Sequence, residues 1–165
     1  MFPTEWLTGR LVARRPESWP GEVLFIETTP DAAAAHVKPG QYCQLRVDGI
    51  AGYFALAGPP GVGPLEFYIQ RGGAAADALL RAPLGASIEL TLPAGPGYGV
   101  DEALAAGGPL YAVCTGAGLA SLRSTLERIA DHGRTCTVYY GCREPGDFIY
   151  LPISFGFSDA APPCT

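Results

Sequence analysis

Apolar and polar residues alternate in short runs over roughly the first hundred positions, and glycine or proline separates one run from the next. Alternation with a period of two predicts strands with one buried face, and the Gly and Pro positions predict tight turns. The runs lie at about 7–14, 22–28, 41–47, 53–57, 65–70 and 87–92, with one helical stretch at 74–81. About six strands and a single short helix predict a small antiparallel β-barrel over residues 1–106.

The pattern changes after about residue 107. Residues 110–114 form a continuous apolar run, which is typical of a strand buried on both faces. The stretch 119–132 places apolar residues at helical spacing and ends before Gly133, and 135–140 reads as a second strand. A strand, a helix and a strand in this order predict a β-α-β unit with parallel strands. Residues 107–165 are therefore predicted to form a partial Rossmann-like α/β domain.

Composition and charge exclude several classes of protein. Hydrophobic residues make up 48% of the chain and charged residues 16%, which is a globular composition. A net charge of -5, with Lys38 as the only lysine, argues against a nucleic-acid surface. No apolar run reaches the roughly 20 residues of a membrane span, and the N-terminus lacks the pattern of a signal peptide. Five cysteines without a C-x-x-C pair predict neither zinc nor disulfides, so a reducing cytoplasmic setting is expected.

Side-chain acid–base catalysis is not indicated by the sequence. Neither paired carboxylates nor a Ser-His-Asp set can be recognised. His36 and His132 are expected to lie in a loop and at a helix end, in contact with solvent.

Five short motifs occur in one order along the chain: 39–42 (PGQY), 52–60 (GYFALAGPP), 71–79 (RGGAAADAL), 115–121 (TGAGLAS) and 139–143 (YYGCR). This order resembles the ferredoxin–NADP reductase superfamily, in which an FAD-binding barrel precedes a nicotinamide-nucleotide domain. The resemblance covers about residues 7–150. It implies FAD and NAD(P)H as cofactors. It also implies a flavin-dependent oxidoreductase that passes electrons from the nicotinamide cofactor through FAD to an acceptor.

The resemblance also implies which residues contact the cofactors. Phe54 takes the place of the aromatic residue that packs on the flavin ring, and stacking needs no hydroxyl group. Gly72 and Gly73 open a helix whose unpaired N–H groups attract phosphate. Gly116 and Gly118 form a dinucleotide-type turn between a strand and a helix. The full set of cofactor-binding residues implied in this way is Tyr53, Phe54, Ala55, Leu56, Tyr68, Arg71, Gly72, Gly73, Ala74, Ala76, Thr115, Gly116 and Gly118.

Several positions depart from the pattern of the superfamily. Gly52 stands where the family has an arginine for the flavin pyrophosphate, Ala55 where it has a serine, and Ala76 where it has a serine or threonine. Arg71 is a candidate to supply the charge missing at Gly52. Cys142 follows the second strand, where α/β sheets bind ligands, and is interpreted as an unreactive thiol.

The further βα units and the Cys-Gly-Pro motif typical of the family are not recognisable in 151–165. Three explanations stay open: a truncated product, a redox or structural protein partner that completes the sheet, or loss of nucleotide binding. Two alternative functions follow. One is a non-enzymatic accessory or interaction subunit, and the other is an FAD-binding subunit that takes its electrons from a partner protein.

Overall fold

The computed structural model describes residues 5–17, 21–144 and 147–150. The first part of the chain forms six strands, which are β1 (Leu7–Pro16), β2 (Gly21–Glu27), β3 (Tyr42–Val47), β4 (Ile50–Ala55), β5 (Leu65–Gln70) and β6 (Ser87–Leu90). They form one antiparallel sheet in the order β4-β3-β6-β1-β2-β5. The predicted antiparallel class and strand number are thereby confirmed.

The six-stranded sheet curls toward a barrel without closing. No continuous ladder joins its edge strands β4 and β5 within the described residues. The two edges meet beyond the end of β4 at an isolated antiparallel bridge between Leu56 and Phe67. The N–H of Ala57 also donates to the carbonyl of Glu66 at 2.8 Å. This single bridge leaves the rest of β4 and β5 unpaired with each other, and that open seam is where the site described below lies.

A tight turn fixes the register of β3 and β4. Asp48 and Gly49 have positive φ values of 51° and 77°, and Val47 pairs directly with Ile50. Asp-Gly with both residues in the left-handed region is the sequence preferred for two-residue hairpins, because their twist matches that of the strands. Strand β4 therefore begins at Ile50, three residues earlier than the alternation at 53–57 predicts.

The core of this sheet is formed by alternate residues of its strands. Leu24, Leu45, Phe67 and Ile88 are fully buried, as the period-two pattern predicts. Helix α2 (Ala74–Arg81) packs on this core through Leu79 and smaller residues. Its bounds agree with the predicted helical stretch.

Two helices appear that the sequence pattern does not predict. Helix α1 (Pro30–Ala34) is five residues long, and its N-cap is Thr29, whose Oγ1 accepts a hydrogen bond from the N–H of Ala32 at 3.4 Å. Helix α3 (Val100–Ala106) ends at Gly107, which has a φ of 74°. Both are too short to show a helical period, so only their capping residues mark them. His36, which follows α1, is 1% exposed, and the expectation that it contacts solvent is wrong.

The second part of the chain is a β-α-β unit, as predicted. Strands β7 (Leu110–Thr115) and β8 (Cys136–Gly141) pair in parallel, and α4 (Gly118–Asp131) connects them. Helix α4 covers one face of the pair, whereas Tyr111, Val113 and Tyr139 on the other face are 65%, 76% and 58% exposed. The expectation that β7 is buried on both faces is therefore wrong for the described residues.

The two sheets meet through an apolar cluster. Val23, Ala57 and Tyr68 of the first sheet pack with Leu119 and Ala120 of α4, together with Leu126, Ile149 and Tyr150. The last strand of the first sheet ends at Leu90 and the first strand of the second begins at Leu110. The division at residues 106 and 107 stays a prediction. Among the residues that the structure describes, no helix is long and apolar enough to cross a membrane.

Candidate functional site

Two neighbouring cavities lie between the open seam of the first sheet and the β-α-β unit. The larger has a volume of about 920 Å³ and the smaller about 660 Å³. They share a wall formed by the end of β5, the turn that follows it and the start of α4. The residues of this shared wall are Tyr68, Gln70, Arg71, Gly72 and Ala117. Ligands in the two cavities would therefore lie side by side.

Strand β4 and helix α2 form the rest of the smaller cavity. The polar groups near its α2 side are the backbone N–H groups of the Gly72-Gly73 turn, since the adjacent residues are alanines. Within the described chain, nothing lies within 4 Å of where a Cβ on Gly72 or Gly73 would stand. Gly72 has a φ of +141°, a conformation that favours glycine. The turn thus leaves room for a ligand to approach the start of α2, where backbone donors favour an anion.

Gly52 has a steric role in the same wall. A Cβ at this position would stand 2.8 Å from the Cβ of Ala75 and 3.1 Å from the Cε2 of Phe54. Contacts this short force neighbouring atoms to move. Glycine therefore lets the first turn of α2 lie directly against β4. An arginine, which the family pattern has at this position, does not fit this packing.

The aromatic residues of β4 lie on opposite faces of the strand. Phe54 is half-buried and packs against the barrel core. Tyr53 is 57% exposed, and its ring stands edge-on to that of Tyr42 at 5.8 Å between centroids. Both line the smaller cavity, so a flat ligand entering it would meet aromatic surface.

The larger cavity lies at the carboxyl ends of β7 and β8, where open α/β sheets bind ligands. The turn after β7 is held by two hydrogen bonds: the N–H of Gly116 donates to the carbonyl of Gly141 at 3.2 Å, and the Tyr140 hydroxyl donates to the carbonyl of Gly116 at 3.1 Å. Gly116 has a φ of +48°. These bonds tie the turn to the neighbouring strand and fix the floor of the cavity.

The charges around the larger cavity are mixed. Arg71 and Arg143 are the cationic residues that line it in the described part of the chain, and Asp147 is the carboxylate. Burial, helped by the nearby Tyr140, Glu17 and Asp147, raises the pKa of Tyr68 to about 12. The Tyr68 hydroxyl in the shared wall therefore stays neutral at physiological pH. Among the described residues, no group of His, Cys, Asp and Glu is placed to hold a metal ion.

The structure brings most of the predicted site residues together at these cavities. The smaller one is lined by Tyr53, Phe54, Ala55, Tyr68, Arg71, Gly72, Gly73, Ala74 and Ala76. The larger one is lined by Thr115 and Gly116, in addition to the residues of the shared wall. Leu56 is instead fully buried in the barrel core, and Gly118 starts α4 with its Cα side facing Cys114. Both lie outside the lining of the two cavities.

Other residues that line the cavities lie outside the predicted cofactor-binding set. Gln70 and Ala117 complete the shared wall, and Ala120 lines the smaller cavity. Arg143 and Cys142 follow β8 at the mouth of the larger cavity, where the position after a parallel strand was the only signal. The alanines carry no chemical signal, and only the three-dimensional structure identifies them.

Comparison with known proteins agrees with this architecture. No family model matches the chain. The reductase component of propane 2-monooxygenase from Rhodococcus jostii strain RHA1 is 32% identical over 146 residues, covering 83% of this chain and 39% of that protein. The cytochrome P450 reductase GcoB of Amycolatopsis is 26% identical, with a TM-score of 0.76 over 92% of this chain and 47% of that one. The ferredoxin–NADP+ reductase of Plasmodium falciparum is 16% identical, with a TM-score of 0.72 over 89% of this chain and 65% of that one.

An antiparallel sheet that precedes a parallel β-α-β unit is the architecture that this chain shares with these structures. The fold is that of the ferredoxin–NADP reductase superfamily. The chain spans less than half the length of the first relatives it matches, 39% of the propane monooxygenase reductase and 47% of GcoB.

Proposed function

We propose that this chain is the FAD-binding and part of the NAD(P)H-binding region of an oxidoreductase that passes electrons from a nicotinamide cofactor to an acceptor. The observation that carries this proposal is the wall common to the two cavities. A hydride can pass directly between two cofactors only when their reacting atoms lie about 3–3.5 Å apart. Two adjoining cavities lined in part by the same residues would bring two bound cofactors next to each other.

The smaller cavity fits a flavin. Phe54 and Tyr53 offer aromatic surface for its ring, and the Gly72-Gly73 turn with the first N–H groups of α2 suits its phosphates. Arg71, which lies next to this turn, supplies a positive charge in place of the one missing at Gly52. When bound, a flavin would supply the redox chemistry, which no side chain of the site offers. The described residues orient the cofactor, and Tyr68 contributes a neutral hydroxyl.

The larger cavity is proposed to hold the nicotinamide end of NADH or NADPH. Thr115, Gly116 and Ala117 present a turn at the start of α4, and Arg143 stands at the end of β8. Backbone donors and a guanidinium at the carboxyl ends of parallel strands suit a pyrophosphate. Gly118, the first residue of α4, is proposed to allow a ligand to approach the helix closely.

The acceptor is proposed to be an oxygenase component, because the curated relative is the reductase component of a monooxygenase. A protein partner, or the remainder of a longer chain, would cover the exposed face of β7 and β8. The four cysteines in the described residues are free thiols, which fits a reducing cytoplasm as the proposed location.

Visible absorbance tests the flavin assignment. The purified chain is titrated with FAD, and a yellow protein with bound flavin is the expected result. Gly72→Val, which fills the open turn at a positive φ, should abolish binding, whereas Gly108→Ala in a distant loop should not. A chain that stays colourless after addition of FAD contradicts the proposal and favours the accessory subunit.

Bleaching of the bound flavin tests the electron source. Anaerobic addition of NADH or NADPH should bleach it if the larger cavity binds the nucleotide, and comparison of the two shows which is preferred. A flavin that dithionite bleaches but neither nucleotide does would instead identify a subunit that takes its electrons from a partner protein.

A further inference from the structure

A buried carboxylate lies where β5 crosses α4. Glu66 of β5 is 7% exposed, and its Oε1 accepts a hydrogen bond from Nη1 of Arg123 on α4 in a close ion pair. The Nη2 of Arg15 on β1 is 3.6 Å from the same oxygen. One carboxylate thus joins two strands of the first sheet to the helix of the β-α-β unit. None of these three residues lines either cavity.

The ring of Tyr150 completes this cluster. The guanidinium of Arg123 lies 5.2 Å from the centroid of the Tyr150 ring, and that of Arg15 lies 5.8 Å from it. Both distances are within the range of a cation–π interaction. The N–H of Tyr150 donates to Oε1 of Glu17 at 2.9 Å. We call Arg15, Glu66, Arg123 and Tyr150 the interface clamp.

The interface clamp lies directly behind the shared wall. Glu66 is two residues before Tyr68 on the same strand, so both side chains point to the same face. Arg123 is one helical turn after Ala120, which lines the smaller cavity. The rings of Tyr150 and Tyr68 are 6.3 Å apart. Movement of α4 relative to β5 would therefore shift the wall and change the distance between the cavities.

We propose that the interface clamp positions the two cavities relative to each other, and that Glu66 and Arg123 are positioning residues for transfer between the cofactors. This inference rests on the proposed function. The apolar cluster between the sheets supplies attraction without direction, whereas a charge-assisted hydrogen bond fixes both distance and angle. Moving α4 away from β5 would separate the buried Glu66 carboxylate from Arg123, and leaving a buried charge without its partner is costly.

The residues that hold a flavin in the smaller cavity come mostly from β4 and α2, which the clamp does not touch. Breaking the interface clamp should therefore affect hydride transfer between the cofactors more than it affects the affinity for flavin. A misplacement of about 1 Å between reacting groups can lower a rate about a hundredfold. Loss of the clamp is thus expected to slow transfer while flavin affinity changes little.

Glu66→Gln tests this expectation in the full chain. We expect the rate of flavin reduction at saturating NAD(P)H to fall about tenfold or more, and the dissociation constant of FAD to change less than about threefold. The matched control is Glu89→Gln, which removes the ion pair of Glu89 with Arg46 between β3 and β6, within the barrel. This control should leave the reduction rate unchanged. An unchanged rate in Glu66→Gln, or a parallel loss of FAD affinity, overturns the proposal.

Hydrogen exchange in the flavin-free chain provides a readout that does not depend on activity. Glu66→Gln should increase exchange in α4 while amides of β3 and β6 keep their protection. Uniform loss of protection in both regions would show a merely structural role and overturn the proposal. If the chain binds no flavin, the proposed function fails while this comparison still decides whether the clamp holds α4 on β5.

A milder variant covers the case in which Glu66→Gln does not fold. The Arg15 side chain is 46% exposed, so Arg15→Gln leaves the buried pair of Glu66 and Arg123 in place. Its expected result is a smaller fall in the reduction rate, by about threefold, with FAD affinity unchanged. A wild-type rate and wild-type exchange in α4 for this variant would contradict the clamp.

Discussion

Replacing Gly52 with alanine is expected to destabilise the protein, although the change adds a single methyl group. The new Cβ would stand 2.8 Å from the Cβ of Ala75 and 3.1 Å from the ring of Phe54. The Ala75 Cβ is fixed to the helix backbone, so relief requires α2 or β4 to move. Overpacking of this kind costs about 1–3 kcal/mol. For a chain of this size each 1 kcal/mol lowers the melting temperature by about 2–4 °C.

Thermal or urea unfolding of Gly52→Ala measures this cost, and two further variants test whether it comes from the short contact between β4 and α2. Gly108→Ala is the control, because nothing within the described chain lies within 4 Å of the Cβ it adds and its φ is not in the left-handed region. The double variant Gly52→Ala with Ala75→Gly removes the shorter contact, the one with Ala75, and should recover part of the stability, less about 0.5–1 kcal/mol for glycine in a helix. A Gly52→Ala protein as stable as Gly108→Ala would refute the packing explanation.

Three further predictions concern titratable groups. Burial lowers the pKa of His36, whose Nε2 has no hydrogen-bond partner within the described chain, so the free energy of unfolding should fall as the pH drops below 6.5. Urea midpoints measured between pH 7.5 and 5 should depend less on pH in His36→Leu than in the wild type. Cys142 lines the larger cavity and is exposed, so bound NAD(P)H should slow its alkylation, and this slowing should be absent in Cys142→Ser. Cys43 is buried, and burial raises its pKa to about 12, so it should be alkylated only after unfolding. Burial raises the pKa of both Tyr68 and Tyr150, so both should ionise late in an ultraviolet titration, and Tyr68→Phe should reduce the amplitude of this late phase without removing it.

The sequence predicts those helices and strands that are long enough to show several repeats of their apolar pattern. Helix α4 shows several helical repeats, and its predicted range, 119–132, differs from the observed Gly118–Asp131 by one residue at each end. Helices α1 and α3, at five and seven residues, are too short to show such repeats. The continuous apolar run of β7 predicts burial on both faces, but hydrophobicity alone does not show which elements cover a strand, and one face of β7 is exposed in the structure.

The cavities could be predicted only in part, for a different physical reason. Glycine turns and the motif order pointed to residues such as Gly72 and Gly116, which carry a recognisable conformational signature. Ala117 and Gln70 lie in the shared wall because β5 and α4 meet there, and nothing in their own chemistry indicates it. The same holds for His36, whose burial depends on how the segment after α1 packs.

The three departures from the family pattern in the smaller cavity leave its wall with fewer polar side chains. Gly52, Ala55 and Ala76 each place a small residue where the family has a longer or polar one, and all three line the same cavity. At Gly52 the structure gives the reason, since the absence of a side chain is what allows α2 to approach β4. This approach brings the open N–H groups of the Gly72-Gly73 turn close to the strand that carries Phe54. The proposed flavin contact therefore depends on backbone donors and aromatic stacking, with Arg71 as the charged side chain beside the turn, and the loss of the family's arginine removes one contact without removing the cavity.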